Sequence, residues 1–118
     1  MSARGLGLNV LFIRKHTRFA VRRMVELCTE VTGARDGLLV EVSLEGCRIG
    51  NLDSKGLATG DAIELGIEGF GRVEAEVRWA QPGIAGLRFV HAFHIPELNQ
   101  LIQLCRSDDG EDLRAYGT

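Results

Sequence analysis

The sequence predicts a mainly β protein, a small six-stranded antiparallel β-barrel with one α-helix at its C-terminal end. Three observations support this fold class. Several short segments alternate apolar and polar residues with a period of two, which is typical of strands with one buried face. Glycine-rich turn sequences separate these segments. One segment near the C-terminus has the spacing of an amphipathic helix.

The first strand is predicted to begin at Phe19. Apolar residues occupy alternate positions from Phe19 to Leu27, and Arg23 falls in phase with them. The sequence RKHTRFAVRR, residues 14–23, contains five Lys or Arg and no acid, although the formal net charge of the chain is −2. This local concentration of positive charge indicates a local partner, and a small anion is suitable.

Turn and strand sequences alternate through the middle of the chain. Residues 32–37 (TGARDG) have the composition of a turn, and residues 38–42 (LLVEV) have that of a strand rich in branched side chains. A short strand is expected at residues 47–49. Residues 51–61 (NLDSKGLATGD) are expected to form a loop.

The clearest alternation predicts a β-hairpin at residues 63–79. On both sides of a GFG turn, apolar residues at odd positions alternate with mostly charged residues at even positions. This alternation predicts strands with one buried and one solvated face. Trp79 falls in phase with the apolar positions and is expected in the core. After AQPGIAG, a last strand carries Leu87 and Phe89.

The predicted helix follows this last strand. Its apolar residues are spaced at i, i+3, i+4 and i+7: Leu98, Leu101, Ile102 and Cys105. Pro96 stands near the helix start, and Glu97 in the first turn suits the helix dipole. We therefore expect a flexible N-terminal segment at residues 1–13, one barrel domain with its helix at residues 14–106, and an acidic, frayed tail at residues 107–118.

Composition excludes several classes of function. The 118 residues suffice for one hydrophobic core. With 14 Lys or Arg and 16 Asp or Glu the chain has no net positive charge, which does not suit a nucleic-acid polymer as partner. No apolar run is long enough for membrane insertion. Three cysteines without CxxC spacing suit free thiols in a reducing cytoplasm. No residue pattern predicts an enzyme, a cofactor or a metal site.

Two motifs carry the chemistry. Arg14 and Arg18 form an RxxxR arrangement before the first strand, and guanidinium groups bind phosphate in a bidentate manner and donate to guanine N7 and O6. The EVSLEG sequence places Glu41, Ser43 and Gly46 at a strand end. There a carboxylate can accept from a guanine edge, a hydroxyl can bind base or phosphate, and glycine permits a tight turn. Both motifs suit a guanine nucleotide.

These residues make the chain resemble a PilZ domain, the bacterial receptor module for cyclic di-GMP. That family is marked by RxxxR followed by (D/N)xSxxG on a six-stranded barrel with a C-terminal helix. RKHTR at residues 14–18 matches the first motif, and residues 41–46 match the second at Ser43 and Gly46. The similarity continues through FAVRRMVEL, GDAIEL, EAEVRWA and GLRFV. RFAVR is a second RxxxR copy, but Arg14 and Arg18 fit better because the second arginine directly precedes the first strand.

The resemblance implies a non-catalytic receptor that signals to a downstream protein. The arginines would hold the phosphates and guanines of cyclic di-GMP, and ligand binding would draw the N-terminal segment over the barrel. Lys15, Arg22 and Arg48 are possible additional ligand-binding residues, against the alternative of solvated surface charges. Arg23 has the same two interpretations, an added attraction for the ligand's phosphates or a solvated surface charge.

The family pattern is broken at Glu41, where Asp or Asn is usual. The added methylene displaces the carboxylate oxygens, and we expect binding weakened by roughly tenfold to hundredfold. The alternative function is a degenerate PilZ-like interaction module that docks onto proteins of pilus or motility machinery without binding the nucleotide. The retained RxxxR motif favours the receptor.

Overall fold

The computed structural model describes residues 17–30 and 33–117, and the side chains of these residues as far as Arg106. Six strands and one helix follow one another along the chain: β1 (Phe19–Thr29), β2 (Gly33–Val42), β3 (Gly46–Leu52), β4 (Ala62–Ile67), β5 (Gly71–Gln81), β6 (Gly83–Phe89) and α1 (Ile95–Gly117). The strands form a closed barrel in the order β1-β2-β3-β6-β5-β4, and every neighbouring pair is antiparallel. The predicted fold class is confirmed.

The core fills the barrel and the space beneath α1. Fully buried branched side chains point inward from the strands, among them Leu27, Leu39, Ile49 and Leu65. The four apolar helix residues predicted to share a face are all buried. Each such side chain stabilises the fold by about 1.5–3 kcal/mol relative to an exposed one. Within the part of the chain that the structure describes, no helix is long and apolar enough to cross a membrane.

Four strand pairings contain a register shift, and the shift in β5 changes which side chains face the core. An extra residue in β1 between Ala20 and Arg23 shifts its pairing with β2, and Arg23 donates from Nη2 to the carbonyl oxygen of Glu68 (2.6 Å). A second shift in β5, between Val77 and Trp79, reverses the alternation there. The prediction that Trp79 lies in the core is therefore wrong, because the bulge turns its side chain to the outside, where it is 36% exposed.

Element boundaries differ from the predictions at several places, and β3, expected at residues 47–49, spans Gly46–Leu52. Strand β2 begins at Gly33, because residues 33–37, expected as a turn, pair with β1, and ladder hydrogen bonds outweigh turn composition. Strand β6 begins at Gly83, within the expected AQPGIAG turn. Helix α1 continues to Gly117, so the residues expected as a frayed tail from Ser107 have a helical backbone, which their Glu, Leu, Arg and Ala content favours. The predicted N-terminal segment lies outside the described residues.

Candidate functional site

One groove on the outer surface of the barrel, of about 500 Å³, contains most of the predicted site. It is lined by five of the predicted residues: Arg18, Glu41, Ser43, Gly46 and Arg48. We call it the basic groove. Arg14 and Lys15 lie outside the described residues. Arg22 is exposed on β1 and does not line the groove.

Strand register builds the floor of the basic groove. Glu41 on β2 pairs with Arg48 on β3. Arg48 pairs in turn with Gly86 on β6, and Gly86 pairs with Trp79 on β5. Directly opposed residues in antiparallel strands share a face. These four residues therefore form a row across four strands on the outside of the barrel. The row brings a carboxylate, a guanidinium group and an indole within reach of one ligand.

Gly86 makes room for the indole in this row. A Cβ at Gly86 would overlap the ring atoms of Trp79, so the indole lies directly against the β6 backbone. The guanidinium carbon of Arg48 is 5.7 Å from the indole centre, within the range of a cation–π interaction. Sequence reasoning missed Trp79 as a site residue, because its outward direction depends on a bulge that a period-two pattern does not reveal.

Glu41 lies between two arginines. Its Oε1 is 3.7 Å from Arg18 Nη1 and 3.8 Å from Arg48 Nη2, distances of ion pairs rather than of hydrogen bonds. The Glu41 side chain is 29% exposed and that of Arg18 is 64% exposed, so solvent screens these pairs. Arg78 and Arg88 also line the groove. Four arginines against Glu41 and Glu45 give the described part of the groove an excess of positive charge.

The turn between β2 and β3 is closed by Ser43. Its Oγ accepts from the backbone N–H of Gly46 (3.2 Å) and of Glu45 (3.4 Å), and its own N–H donates to the carbonyl oxygen of Gly46 (2.9 Å). The hydroxyl thus has a structural role before any ligand binds, in the manner of an ST turn. This turn directly follows the end of β2, so it fixes the position of the strand end from which Glu41 lines the groove.

Gly46 is needed for a reason other than the expected tight turn. Its φ is not positive. Instead, Gly46 opposes Arg88 on β6, and a Cβ here would overlap the carbonyl oxygen of Leu87. The two backbones approach so closely that no side chain fits between them. Gly46 therefore holds the turn against β6.

The same turn is bound to the segment that leads into α1. The N–H of Phe93 donates to the carbonyl oxygen of Leu44 (2.7 Å), and that of Phe89 donates to Glu45 (2.8 Å). The rings of Phe89 and Phe93 stack with their centroids 4.3 Å apart. The position of the turn and the start of the helix are thereby linked through direct contacts.

The groove has the means to bind an anion but not to activate a thiol. Cys47 lies at its base, and burial raises the pKa of the Cys47 thiol, so it stays protonated and unreactive at neutral pH. No cluster of three or more metal-binding side chains occurs among the described residues. Guanidinium groups, a carboxylate, a hydroxyl and an indole constitute a binding surface for a ligand with phosphates and flat rings.

Comparison with known proteins identifies one family. The family model of the PilZ domain matches residues 12–107, which is most of the chain. The match includes both motifs and every strand, and it extends into α1. No curated protein sequence matches the chain significantly.

Proposed function

The chain belongs to the PilZ domain family, and from this membership we propose that it is a receptor for cyclic di-GMP that passes the ligand's presence to a partner protein. The proposal is one of binding, without catalysis. The observation that supports it best is the row in the basic groove. There Arg18 and Arg48 flank Glu41 directly beside the turn that Ser43 closes, and the indole of Trp79 lies beside Arg48.

Each part of the groove suits one part of the ligand. Arg18 and Arg48 offer guanidinium forks to the phosphates and to the N7 and O6 acceptors of guanine. We assign a phosphate-binding role to Arg14 as well, by its place in the RxxxR motif. The indole of Trp79 offers a flat face on which a guanine can stack, and such stacking on an aromatic side chain contributes about 1–3 kcal/mol per base.

Glu41 has two roles in this proposal. Without ligand it is the counter-ion of Arg18 and Arg48. When phosphates approach these arginines, the carboxylate is released from them and can accept from the ring N–H and amino group of guanine. The ligand must therefore displace an internal ion pair, which lowers its net affinity.

Calorimetric titration of the folded protein with cyclic di-GMP tests the proposal. We expect saturable binding in the wild type and a loss of about tenfold or more in Arg18→Ala, because a charged hydrogen bond contributes about 1.5–3 kcal/mol. Arg22→Ala is the matched control, since Arg22 is an exposed arginine four residues further along the chain, on β1 and outside the groove. Its affinity should equal that of the wild type.

Two results would contradict the assignment. Equal losses in Arg18→Ala and Arg22→Ala would mean that the RFAVR copy of the motif is the functional one. No heat up to high micromolar ligand, with folded protein, would reject the receptor and favour the ligand-independent interaction module.

A further inference from the structure

A second groove, of about 630 Å³, lies over β1, β2, β4 and β5. Its floor is again a row set by strand register. Asp36 on β2 opposes Glu26 on β1. Glu26 opposes Gly66 on β4, and Gly66 opposes Arg72 on β5. Glu68 also lines the groove. We call it the acidic groove, since three carboxylates and one guanidinium group line it.

The described parts of the two grooves carry equal and opposite formal charge. Three carboxylates and one guanidinium group leave the acidic groove with two negative charges in excess. The basic groove has four arginines and two glutamates, an excess of two positive charges. Glu26 and Asp36 face each other directly, and like charges in this relation destabilise a sheet. Because Arg72 donates to Glu64 Oε1 at 2.8 Å, part of its charge is engaged there, and the opposed carboxylates attract a cation from elsewhere.

Each groove also exposes one large apolar side chain. Among the described residues three large apolar side chains are exposed, and two of them line the grooves, Met24 the acidic one and Trp79 the basic one. Val25 and Ile67, which also line the acidic groove, are buried, so its exposed apolar surface is mainly that of Met24. A thioether packs favourably against an aromatic ring. The two grooves are therefore complementary in apolar contact as well as in charge.

The two grooves lie on opposite faces of the barrel. Both rows run from β2 to β5, and these strands are three strands apart in either direction around the closed barrel. The row of the basic groove passes through β3 and β6, whereas the row of the acidic groove passes through β1 and β4. One molecule therefore cannot bring its own grooves together. Nor can two molecules form both contacts at once around a two-fold axis, because only one face of each molecule can meet the other.

We propose that the acidic groove of one copy of this chain binds the basic groove of a second copy, head to tail. The exposed guanidinium groups of Arg78 and Arg88 supply cations to Glu26 and Asp36, and the two exposed apolar side chains cover each other. Each copy keeps one groove free after a contact forms, so further copies add and the assembly is an open chain. Its ion pairs are exposed before contact, so the association is weak and depends on salt.

The contact shares its basic groove with the proposed ligand site. Arg18 and Arg48 line this groove together with Arg78 and Arg88, so cyclic di-GMP and a second copy would compete for it. The ligand would separate the copies and uncover the acidic groove. This separation rests on the proposed function, whereas head-to-tail association without ligand does not.

Sedimentation velocity of the full chain at increasing protein concentration tests the contact. We expect the weight-average sedimentation coefficient of the wild type to rise with concentration. The association constant should fall about tenfold between about 0.05 M and about 0.5 M sodium chloride, because salt screens exposed charges. Glu26→Gln/Asp36→Asn should lower it about tenfold, since two ion pairs at the contact are lost. Arg78→Gln/Arg88→Gln should lower it as much, because it removes the same pairs from the other side.

A mixture of these two double variants gives the sharpest result. Each variant alone lacks one of the two grooves, but the mixture contains an intact acidic groove on one variant and an intact basic groove on the other. We therefore expect one-to-one dimers that form as tightly as the wild-type contact and do not grow further. Two controls make the same changes in net charge outside both grooves, Glu30→Gln/Glu74→Gln and Arg22→Gln/Arg106→Gln, and both should associate like the wild type.

Three results would overturn the contact. A wild type that stays monomeric at millimolar concentration would reject the second copy and leave the acidic groove to a basic partner. Association that both double variants retain would place the contact elsewhere on the barrel. Loss in one double variant only, without recovery in the mixture, would mean that two copies of the same groove meet.

Added cyclic di-GMP separates this proposal from the proposed function. It should lower the wild-type sedimentation coefficient to that of the monomer. An unchanged coefficient at a concentration that calorimetry shows to be saturating would overturn the separation by ligand alone. Absent calorimetric binding would overturn the receptor and the separation together, while the contact would still be decided by the variants and their mixture.

Discussion

In both grooves a glycine stands third in a row that crosses four strands, Gly86 in the basic groove and Gly66 in the acidic groove. A Cβ at Gly86 would overlap the indole of Trp79, whereas a Cβ at Gly66 would meet the nearest atoms, among them Arg72 Nη1, only at 3.8 Å or more. The barrel thus places residues in the same way on both faces. The neighbouring side chain decides whether the glycine is required.

The two grooves also differ in charge and in what holds their shape. The basic groove is bordered by the turn that Ser43 and Gly46 hold against β6, while the acidic groove is bordered by the β4–β5 turn around Phe70. Phe93 contacts both turns, by its N–H to Leu44 and by a ring contact with Phe70 at 5.6 Å. One residue therefore joins the borders of two oppositely charged surfaces, through its backbone on one side and its ring on the other.

The largest expected effect comes from separating the backbones of β3 and β6, which approach closely at Gly46 beside the basic groove. Gly46→Ala should lower the free energy of unfolding by about 3 kcal/mol, because the added Cβ overlaps the Leu87 carbonyl and forces β3 from β6. Urea denaturation measures the change. Gly50→Ala is the control on the same strand, since its Cβ meets Val40 at an ordinary 3.5 Å. If both variants lose the same stability, close approach is not what Gly46 provides.

The next largest effect is expected from substituting the glycines in the two rows, Gly86 and Gly66. Gly86→Ala should displace the indole of Trp79 and weaken cyclic di-GMP binding about tenfold, since a stacked base is worth about 1–3 kcal/mol. Gly66→Ala, which adds a methyl to the acidic groove without a clash, should leave the affinity unchanged. Calorimetry with both variants measures this difference. Unaltered affinity in Gly86→Ala would remove Trp79 from the proposed ligand site.

Much of the fold was predictable because the evidence is local. Alternation between residues 63 and 77 follows from the separate sequences of β4 and β5, and the helix face from Leu98 to Cys105 follows from its own spacing. The motif residues could be found in the same way, and the structure brings Arg18, Glu41 and Ser43 to one groove.

The missed features depend on two or more strands at once. The direction of Trp79 is set by a bulge in the pairing of β5 with β6. The opposition of Glu26 and Asp36 exists only in the register of β1 with β2, whose turn-like first residues were expected to lie outside the sheet. The alternation of apolar and polar residues within one strand does not show either feature. Both depend on how the strands pair in the closed barrel.

The smallest effect concerns Glu41, whose two ion-pair partners, Arg18 and Arg48, are the arginines proposed to bind the ligand. Glu41→Asp withdraws the carboxylate by about 1.5 Å, one carbon–carbon bond, from Arg18 and Arg48. Weaker exposed ion pairs are displaced more easily by phosphate, and about 1 kcal/mol corresponds to roughly fivefold tighter binding of cyclic di-GMP. Aspartate also restores the residue that the family motif prefers. Glu45→Asp, the same change on the other glutamate of the basic groove, should leave the affinity as it is. Weaker binding by Glu41→Asp would show that the longer side chain is itself the guanine-binding group.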